Sequence, residues 1–398
     1  MQTKLKRNRK LGESWLSAYR HYIIKQESPD IFHFWIAMSM VAASLKRNVF
    51  VDRNAYQVYP NQYIFLVAES ALCKKSAAMD IGIDLIQKIE DITVVHGRAT
   101  VEGLIDLMNK AAPDPTGTIK PDGSILVHAD ELAYLFGKAS YITDLITFFT
   151  AAYTSRARLD FLTRKTKLVK VRNPCPSILA GTTPGQMGDI FPSLTLSSGF
   201  MGRVLLIWGS SVKRVAEPAL RREMEDALIH DLGCISQLCG EIKMTEEAKT
   251  YFNSWYEALK PPDMQELLPF FQRKHDHALK AAICISVAES DKMVITLDHL
   301  NAAISAIEYV EARIPDAIAS IGATIQSTIG DQIVNIIRSK APSSISHSMV
   351  LRRIYKRLNY GAQEFQQIIE SLKQAEKIKE VASERGIFYT LWSKKGKS

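Results

Sequence analysis

Residues 63–82 read YIFLVAESALCKKSAAMDIG and contain a strand, a loop and the start of a helix. Tyr63–Val67 is an apolar run of the size of a buried strand, and a helical pattern follows the loop. The loop consists mostly of small residues and leads into Lys74, Lys75 and Ser76. Such a loop can turn backbone N–H groups and a helix N-terminus toward an anion. The stretch therefore predicts a phosphate site, with Lys75 on the phosphates and Ser76 on Mg²⁺.

This loop departs from the usual P-loop pattern at both glycine positions. Glu69 and Lys74 occupy those positions, and Ala68 and Ala71 are small residues that stand near them. A side chain there adds bulk where glycine lets the backbone approach phosphate closely. Taken alone, the motif leaves open an ordinary strand–turn–helix with exposed lysines.

An acidic pair follows a later strand. Ser124–His128 is a hydrophobic run, and Asp130 and Glu131 come directly after it. In P-loop ATPases such an Asp holds the water shell of Mg²⁺ and the Glu polarises the attacking water. Acidic residues also favour the first turn of a helix, which is the alternative interpretation. The order of the two motifs favours a nucleotide site that uses ATP and Mg²⁺.

Two more strands carry polar residues at their ends. Thr182 and Thr183 follow the strand around Ile178–Ala180, where a hydroxyl can orient the hydrolytic water or simply cap a turn. Arg203 directly precedes the strand Val204–Trp208. An Arg at this point can enter a neighbouring subunit's site, although an ordinary surface Arg also fits.

Strands that alternate with helices predict an α/β fold with a parallel sheet between helices.

A basic hairpin is predicted over residues 157–173. Its only acid is Asp160, and its basic residues are Arg158, Arg164, Lys165, Lys167, Lys170 and Arg172. Charge of this kind can hold a DNA backbone without reading its sequence, as in a ring pore. A solvated surface hairpin is the alternative.

The rest of the chain is mostly helical, and Arg273 opens one of its helices. After residue 326, three helical patterns and a terminal hairpin fit a winged helix. Its basic residues are Arg352, Arg353, Lys356, Arg357, Lys377, Lys379 and Arg385. They favour phosphate contacts over base reading, and a protein-docking module is the alternative. We predict four domains: a basic tail and helical segment (1–58), a core (59–212), a helical lid (213–325) and a winged helix (326–398).

The 398 residues carry a net charge of +8 that is concentrated at the two ends. Residues 1–10 and 326–398 hold 18 Lys and Arg but 6 Asp and Glu, which favours a polyanionic partner such as DNA. The five cysteines form no CxxC pair, so a structural zinc site and a disulfide framework are not expected. No apolar stretch is long enough to predict a transmembrane helix, and we expect a cytoplasmic protein.

The order of these motifs resembles AAA+ ATPases of bacteriophages, plasmids and genomic islands, which are related to MCM-like and superfamily 3 helicases. The resemblance covers roughly residues 14–320. It implies a P-loop AAA+ core with a helical lid, assembled as a homo-hexameric ring. It also implies a role for each matching residue: phosphate and Mg²⁺ binding for Lys75 and Ser76, the Walker B pair for Asp130 and Glu131, the first sensor for Thr182 or Thr183, a finger in trans for Arg203 and the second sensor for Arg273.

Three functions remain open from the sequence. The first is an ATP-driven DNA motor, a replicative helicase or its loader from a mobile element. The second is a DNA-binding scaffold or initiator whose degenerate nucleotide site hydrolyses ATP slowly or not at all. The third is a regulatory or defence ATPase that recruits a protein partner through its winged helix.

Overall fold

Helices and strands alternate along the chain in the computed structural model, which describes residues 8–110, 122–137, 139–161, 169–191, 199–210, 213–341, 343–355, 358, 361–383 and 386–392. The helices are α1 (Trp15–Tyr22), α2 (Asp30–Leu45), α3 (Lys75–Ile86), α4 (Val101–Lys110), α5 (Leu132–Phe136), α6 (Ala139–Ala152), α7 (Pro184–Ile190), α8 (Glu225–Ile235), α9 (Glu246–Ala258), α10 (Leu268–Phe271), α11 (Lys274–Glu289), α12 (Leu297–Glu311), α13 (Ile314–Arg338), α14 (His347–Ile354) and α15 (Gly361–Gln374). The strands are β1 (Val49–Asp52), β2 (Gln57–Val58), β3 (Tyr63–Val67), β4 (Val94–His96), β5 (Gly123–Ala129), β6 (Arg158–Phe161), β7 (Val169–Arg172), β8 (Pro174–Thr182), β9 (Val204–Trp208), β10 (Gly240–Glu241), β11 (Lys243–Met244), β12 (Val294–Ile295), β13 (Ile345–Ser346), β14 (Ile378–Ser383) and β15 (Gly386–Leu391). Every described helix is too short or too polar to cross a membrane.

Five of the described strands form a parallel sheet in the order β4-β5-β8-β3-β9. In register, Tyr63 of β3 pairs with Ile178 of β8 on one side and with Val204 of β9 on the other. Strands covered on both faces read as continuous apolar runs, which is why β3 is apolar throughout and fully buried. The predicted α/β class, with a parallel sheet flanked by helices, is confirmed. Because the strands are parallel, all of them end at one side, the carboxyl edge, and begin at the other, the amino edge.

The N-terminal helices pack against this sheet rather than apart from it. Pro29 precedes α2, and 13 of the 16 residues of α2 are buried. Gly82 of α3 allows close contact with α2, because a Cβ there would lie 2.5 Å from Ile36 Cγ2. The segment before α1 is also fixed: Arg9 bonds Val287 O, Ala288 O and the carboxylate of Asp291. The helical lead-in is thus part of the core that surrounds the sheet.

The chain divides into two compact units. The first contains residues 1–190 and 195–317, and so it includes the helices that follow the sheet. The second contains residues 318–398 together with 191–194. Its described part has α14, α15 and an antiparallel sheet in the order β13-β15-β14, around a core that includes Ile333, Phe365 and Tyr389. The predicted terminal hairpin is confirmed as β14 and β15, while its turn residues 384–385 lie outside the described residues.

Candidate functional site

The loop between β3 and α3 contains no glycine, yet two of its residues have the left-handed backbone conformation that glycine favours. Lys74, at the N-cap of α3, has φ 50° and ψ 42°, in the left-handed region. Ala71 is also left-handed, with φ 59°. This conformation costs a residue with a side chain about 1–2 kcal/mol. The second glycine position of the P-loop pattern is therefore held by Lys74 in the conformation that glycine adopts freely.

The N-terminus of α3 is open to an anion. Its first turn has no acidic side chain, and no side chain caps it. The first N–H groups of a helix have no partner within the helix, and together with its dipole they attract phosphate. Lys75 and Ser76 are the first two residues of this helix, and the Ser76 side chain is exposed. The sequence thus places a cation and a hydroxyl at an uncapped helix end.

The Lys75 ammonium group lies inside its own loop. Its Nζ donates to Ala68 O at 2.7 Å and to Glu69 O at 3.3 Å. Burial lowers the pKa of Lys75 below its ordinary value, while the nearby Cys73, Glu69 and Glu131 favour the charged form. Strands β3 and β5 both pair with β8, so the loop that carries Lys75 and the acidic pair lie at the same carboxyl edge, where the charge of Glu131 acts on Lys75.

The acidic pair follows β5 at the carboxyl edge. Asp130 is largely exposed, and Glu131 accepts a hydrogen bond from Gln186 Nε2 at 3.2 Å. Strand β8 lies between β5 and β3 and approaches the pair closely at Gly181. A Cβ at Gly181 would lie 2.5 Å from Asp130 O, so a larger residue would displace the acidic pair.

The two candidate sensor threonines have local partners. Thr182 ends β8, is buried, and donates from Oγ1 to Thr183 O at 3.3 Å. Thr183 Oγ1 accepts from Gln186 N at 3.3 Å and so caps the start of α7. The side chain that reaches Glu131 from this element is Gln186, which sequence reasoning missed. The signal was its place in the first turn of the helix that follows the threonines.

The donor groups at the carboxyl edge fit a phosphate chain and Mg²⁺. Mg²⁺ prefers oxygen ligands, which the Ser76 hydroxyl and the Asp130 carboxylate can supply. Backbone N–H groups and the Lys75 ammonium suit phosphate. Six of the nucleotide-binding residues assigned from the sequence lie at this carboxyl edge, and the seventh, Arg273, does not: the six are Ala68, Ala71, Lys74, Lys75, Ser76 and Asp130.

Two histidines lie beside the acidic pair. His128 is buried, and its Nδ1 lies 3.2 Å from Nδ1 of His96. The Gln87 amide contacts Nε2 of His96 at 2.9 Å. Burial lowers the pKa of His128, and burial followed by the charge of Asp130 raises the pKa of Asp80. Sequence reasoning did not select Asp80, His96 or His128, because they come from three separate elements.

Arg203 and Arg273 lie together at the amino edge. Arg203 precedes β9, and Arg273 precedes α11, which is tied to the same place by a 3.0 Å contact between His277 Nε2 and Gly202 O. Burial lowers the pKa of Arg203, and the charge of Arg273 is the next cause. Strands of five residues separate this edge from Lys75 by roughly 15 Å. The structure therefore does not bring Arg273 to the phosphate side of its own chain.

An open, basic pocket of about 660 Å³ lies next to Arg273. Its ionisable lining residues include one acid, Asp276, and the basic residues Arg47, Arg156, Arg273, His275 and Lys280. Burial lowers the pKa of His275 and so favours its neutral form. Lys280 is buried and donates to Tyr59 O at 2.8 Å and to Asn61 Oδ1 at 2.6 Å. Burial lowers its pKa to about 8. Lys280 therefore connects structural elements and does not reach toward phosphates.

The basic hairpin is present as the antiparallel pair β6 and β7. Arg158 forms a two-pronged ion pair with Asp160, with both contacts at 2.5 Å. Lys170 and Arg172 are exposed. The predicted turn residues Arg164, Lys165 and Lys167 lie outside the described residues.

The predicted basic residues of the second unit are at its surface. Arg352 and Arg353 are exposed on α14, and Lys379 is exposed on β14. Lys377 is exposed as well and pairs with Asp331 at 3.4 Å. Lys356, Arg357 and Arg385 lie outside the described residues.

Comparison with known proteins adds no assignment to this geometry. No protein-family model matches the sequence. No curated protein matches it significantly either. Function must therefore be argued from the residues and their arrangement.

Proposed function

We propose that this chain is an ATP-dependent DNA motor, a helicase-like AAA+ ATPase of a mobile genetic element. One observation carries the proposal. Lys75, at the uncapped start of α3, and Glu131, after β5, meet at the carboxyl edge of a parallel sheet. Ligands of open parallel sheets bind in the crevice outside the carboxyl ends of the strands. A cation at a helix N-terminus and a nearby carboxylate are the groups that bind and hydrolyse a phosphoanhydride.

Each group at this edge has a distinct task in hydrolysis. The loop and the α3 N-terminus bind the phosphates, and Lys75 leaves the carbonyls of Ala68 and Glu69 to contact them. Ser76 and Asp130 hold Mg²⁺, which when bound neutralises charge on the phosphate oxygens. Glu131 accepts the proton of the attacking water. Gln186 holds the Glu131 carboxylate in the structure without nucleotide, and Thr183 caps the start of α7, the helix that carries Gln186.

The positions of the arginines support assembly into a ring. Arg203 and Arg273 lie at the amino edge, away from Lys75 of the same chain. An arginine that stabilises charge on a transferred phosphoryl group must contact that group. Arg203 and Arg273 can therefore act only on the nucleotide of a neighbouring copy, and we propose a homo-hexamer in which ATP lies between subunits.

The DNA contacts are assigned to two basic surfaces. The hairpin of β6 and β7 offers the exposed side chains of Lys170, which lies opposite Asp160, and Arg172. The assignment extends to Arg164, Lys165 and Lys167. The second unit, which we interpret as a winged helix, offers Arg352, Arg353, Lys377 and Lys379. We assign helices α8–α12 to the predicted lid. Exposed lysines and arginines hold a phosphate backbone by charge alone.

The loop itself supports a second candidate function. Ala71 and Lys74 occupy left-handed positions without being glycine, and Lys75 already has two acceptors in its own loop. Both features oppose close wrapping of phosphates. In this alternative the chain is a DNA-binding scaffold or initiator, and ATP at most promotes its assembly.

ATP turnover by the purified protein, with and without single-stranded DNA, separates the two functions. Lys75→Ala is the test variant, and Lys249→Ala, an exposed lysine on α9, is the matched control. Turnover that DNA stimulates, that Lys249→Ala retains and that Lys75→Ala loses supports the motor. No turnover in the parent protein, with DNA binding intact, supports the scaffold.

A further inference from the structure

Three potential metal ligands converge where β5 ends. They are the carboxylates of Asp80 and Asp130 and the imidazole of His128, and one ligand atom of each lies within 4.8 Å of the others. His128 and Asp130 are two residues apart, so they project from the same face of the extended chain. Asp80 reaches them from α3. The two carboxylates are exposed and can move toward a shared ion.

One ring nitrogen of His128, Nε2, lies beside Asp130 without a hydrogen-bond partner. The His128 side chain is about 5% exposed, its Nε2 is buried, and the nearest carboxylate oxygen, Asp130 Oδ1, is 3.7 Å away. A buried ring nitrogen without a partner costs free energy. A metal ion between His128 and the two carboxylates removes that cost and the repulsion between the carboxylates.

A second layer of residues can fix the ring of His128 for metal binding. Nδ1 of His128 lies 3.2 Å from Nδ1 of His96, and Nε2 of His96 contacts the terminal amide of Gln87. The structure places Gln87 Nε2 against His96 Nε2. Metal binding requires this amide to turn over, so that its oxygen accepts from His96 and each histidine donates its hydrogen along this chain. The lone pair of His128 Nε2 is then free for the metal. Partners of this kind orient metal-binding histidines in other proteins.

We propose that Asp80, His128 and Asp130 bind a divalent transition metal ion, of the class of Zn²⁺, Co²⁺ or Mn²⁺. An imidazole with two carboxylates suits this class better than it suits Mg²⁺, which prefers oxygen ligands alone. Three protein ligands leave positions open to water. The site goes beyond the proposed ATPase function: it shares Asp130 with that function but needs neither nucleotide nor Lys75.

A second cluster in the described residues provides the control. His230, Asp231 and Cys234 also lie within 4.8 Å of one another. Both oxygens of Asp231, however, accept backbone hydrogen bonds, from Lys10 N at 2.7 Å and from Leu11 N at 3.1 Å. Asp231 thus holds the N-terminal segment, and this cluster is expected to bind no metal.

The test is a titration of the nucleotide-free, full-length protein with Co²⁺, followed by visible absorption of the bound ion. We expect one equivalent to bind, Zn²⁺ to displace it, and a large excess of Mg²⁺ to leave it in place. Asp80→Asn, an exposed position, and His128→Gln should each weaken binding at least about tenfold, and His96→Ala about 10–100-fold. His230→Ala should bind as the parent does.

Several results would overturn the metal site. They are no Co²⁺ bound by the parent protein, displacement by Mg²⁺ as readily as by Zn²⁺, or loss of binding in His230→Ala but not in Asp80→Asn. Circular dichroism shows whether each variant is folded, and Asp80→Asn decides the question if His128→Gln is not. Lys75→Ala separates the two proposals, because it should lose ATP and keep Co²⁺.

Discussion

Gln186 Nε2 donates a hydrogen bond to Glu131 Oε2 across 3.2 Å. This contact joins the acid that follows β5 to the helix that follows β8. The hydrogen bond holds the carboxylate in one orientation. Gln186 is therefore in a position to restrain the proposed base until the site is rearranged.

Gln186→Ala tests this restraint. Without the hydrogen bond, the Glu131 carboxylate is free to turn toward the attacking water, and we expect ATP turnover in the absence of DNA to rise severalfold. The measurement is the rate of phosphate release with and without single-stranded DNA. The double variant Gln186→Ala with Glu131→Gln should be inactive, which shows that the gain depends on Glu131. A fall of Gln186→Ala to the background rate would mean that Gln186 positions the base instead.

Lys74→Gly should relieve the backbone strain in the loop between β3 and α3. Glycine adopts φ 50° without the cost of a side chain, which offsets its greater freedom in the unfolded chain. We expect the free energy of unfolding to rise by up to about 1 kcal/mol and ATP to bind more tightly. Lys74→Ala is the control, since it removes the charge but keeps a Cβ. Equal behaviour of the two variants would show that the charge of Lys74 matters and its backbone does not.

We expect two basic residues of the hairpin to contribute differently to the salt dependence of DNA affinity. Lys170 is exposed, whereas Arg158 is paired with Asp160. A contact to one phosphate of single-stranded DNA contributes about 0.7 to the slope of log affinity against log salt. Lys170→Ala should therefore lower the slope by about 0.7, and Arg158→Ala should change it less. Affinities measured over a range of salt concentrations decide this, and an unchanged slope in Lys170→Ala would remove the hairpin from the DNA contact.

His33 makes stability depend on acid pH. Burial lowers its pKa from 6.5 to about 4, and neither ring nitrogen has a hydrogen-bond partner. Between these two pH values the unfolded chain binds a proton that the folded chain does not. Stability therefore falls as pH drops through this window and is unaffected by His33 above it. The full effect of this shift is roughly 3 kcal/mol.

His33→Phe should remove this part of the acid sensitivity at little cost at neutral pH. Urea unfolding at about pH 5 and pH 7.5 measures the difference in free energy. His277, whose pKa burial also lowers to about 4, remains in the variant, so part of the pH dependence should persist. An unchanged difference between the two pH values would show that His33 is protonated in the folded protein.

The sequence was sufficient to predict strands of the parallel sheet but not their order in the sheet. Apolar runs at 63–67 and 204–208 predicted β3 and β9, since strands buried on both faces have no polar alternation. The insertion of β8 between β5 and β3 depends on tertiary packing, which no local pattern encodes. The close approach at Gly181 follows from that order.

The candidate site was predictable only where its residues are adjacent in the chain. Lys75 and Glu131 belong to motifs, and the structure places them together. His128 and Asp80 meet only after folding, so their spacing carried no signal. His277 is buried, because α11 is covered around nearly its whole circumference and its sequence pattern indicates no exposed face.

The order of the sheet also governs how the chain can fold during synthesis. Both neighbours of β3 in the sheet, β8 and β9, lie more than a hundred residues later in the sequence. At the usual rates of translation, β3 and the apolar helix α2 leave the ribosome many seconds before their partners exist. Long-range pairing of this kind is slow and leaves apolar surface exposed meanwhile. We therefore expect the nascent chain to depend on chaperones until β9 is complete.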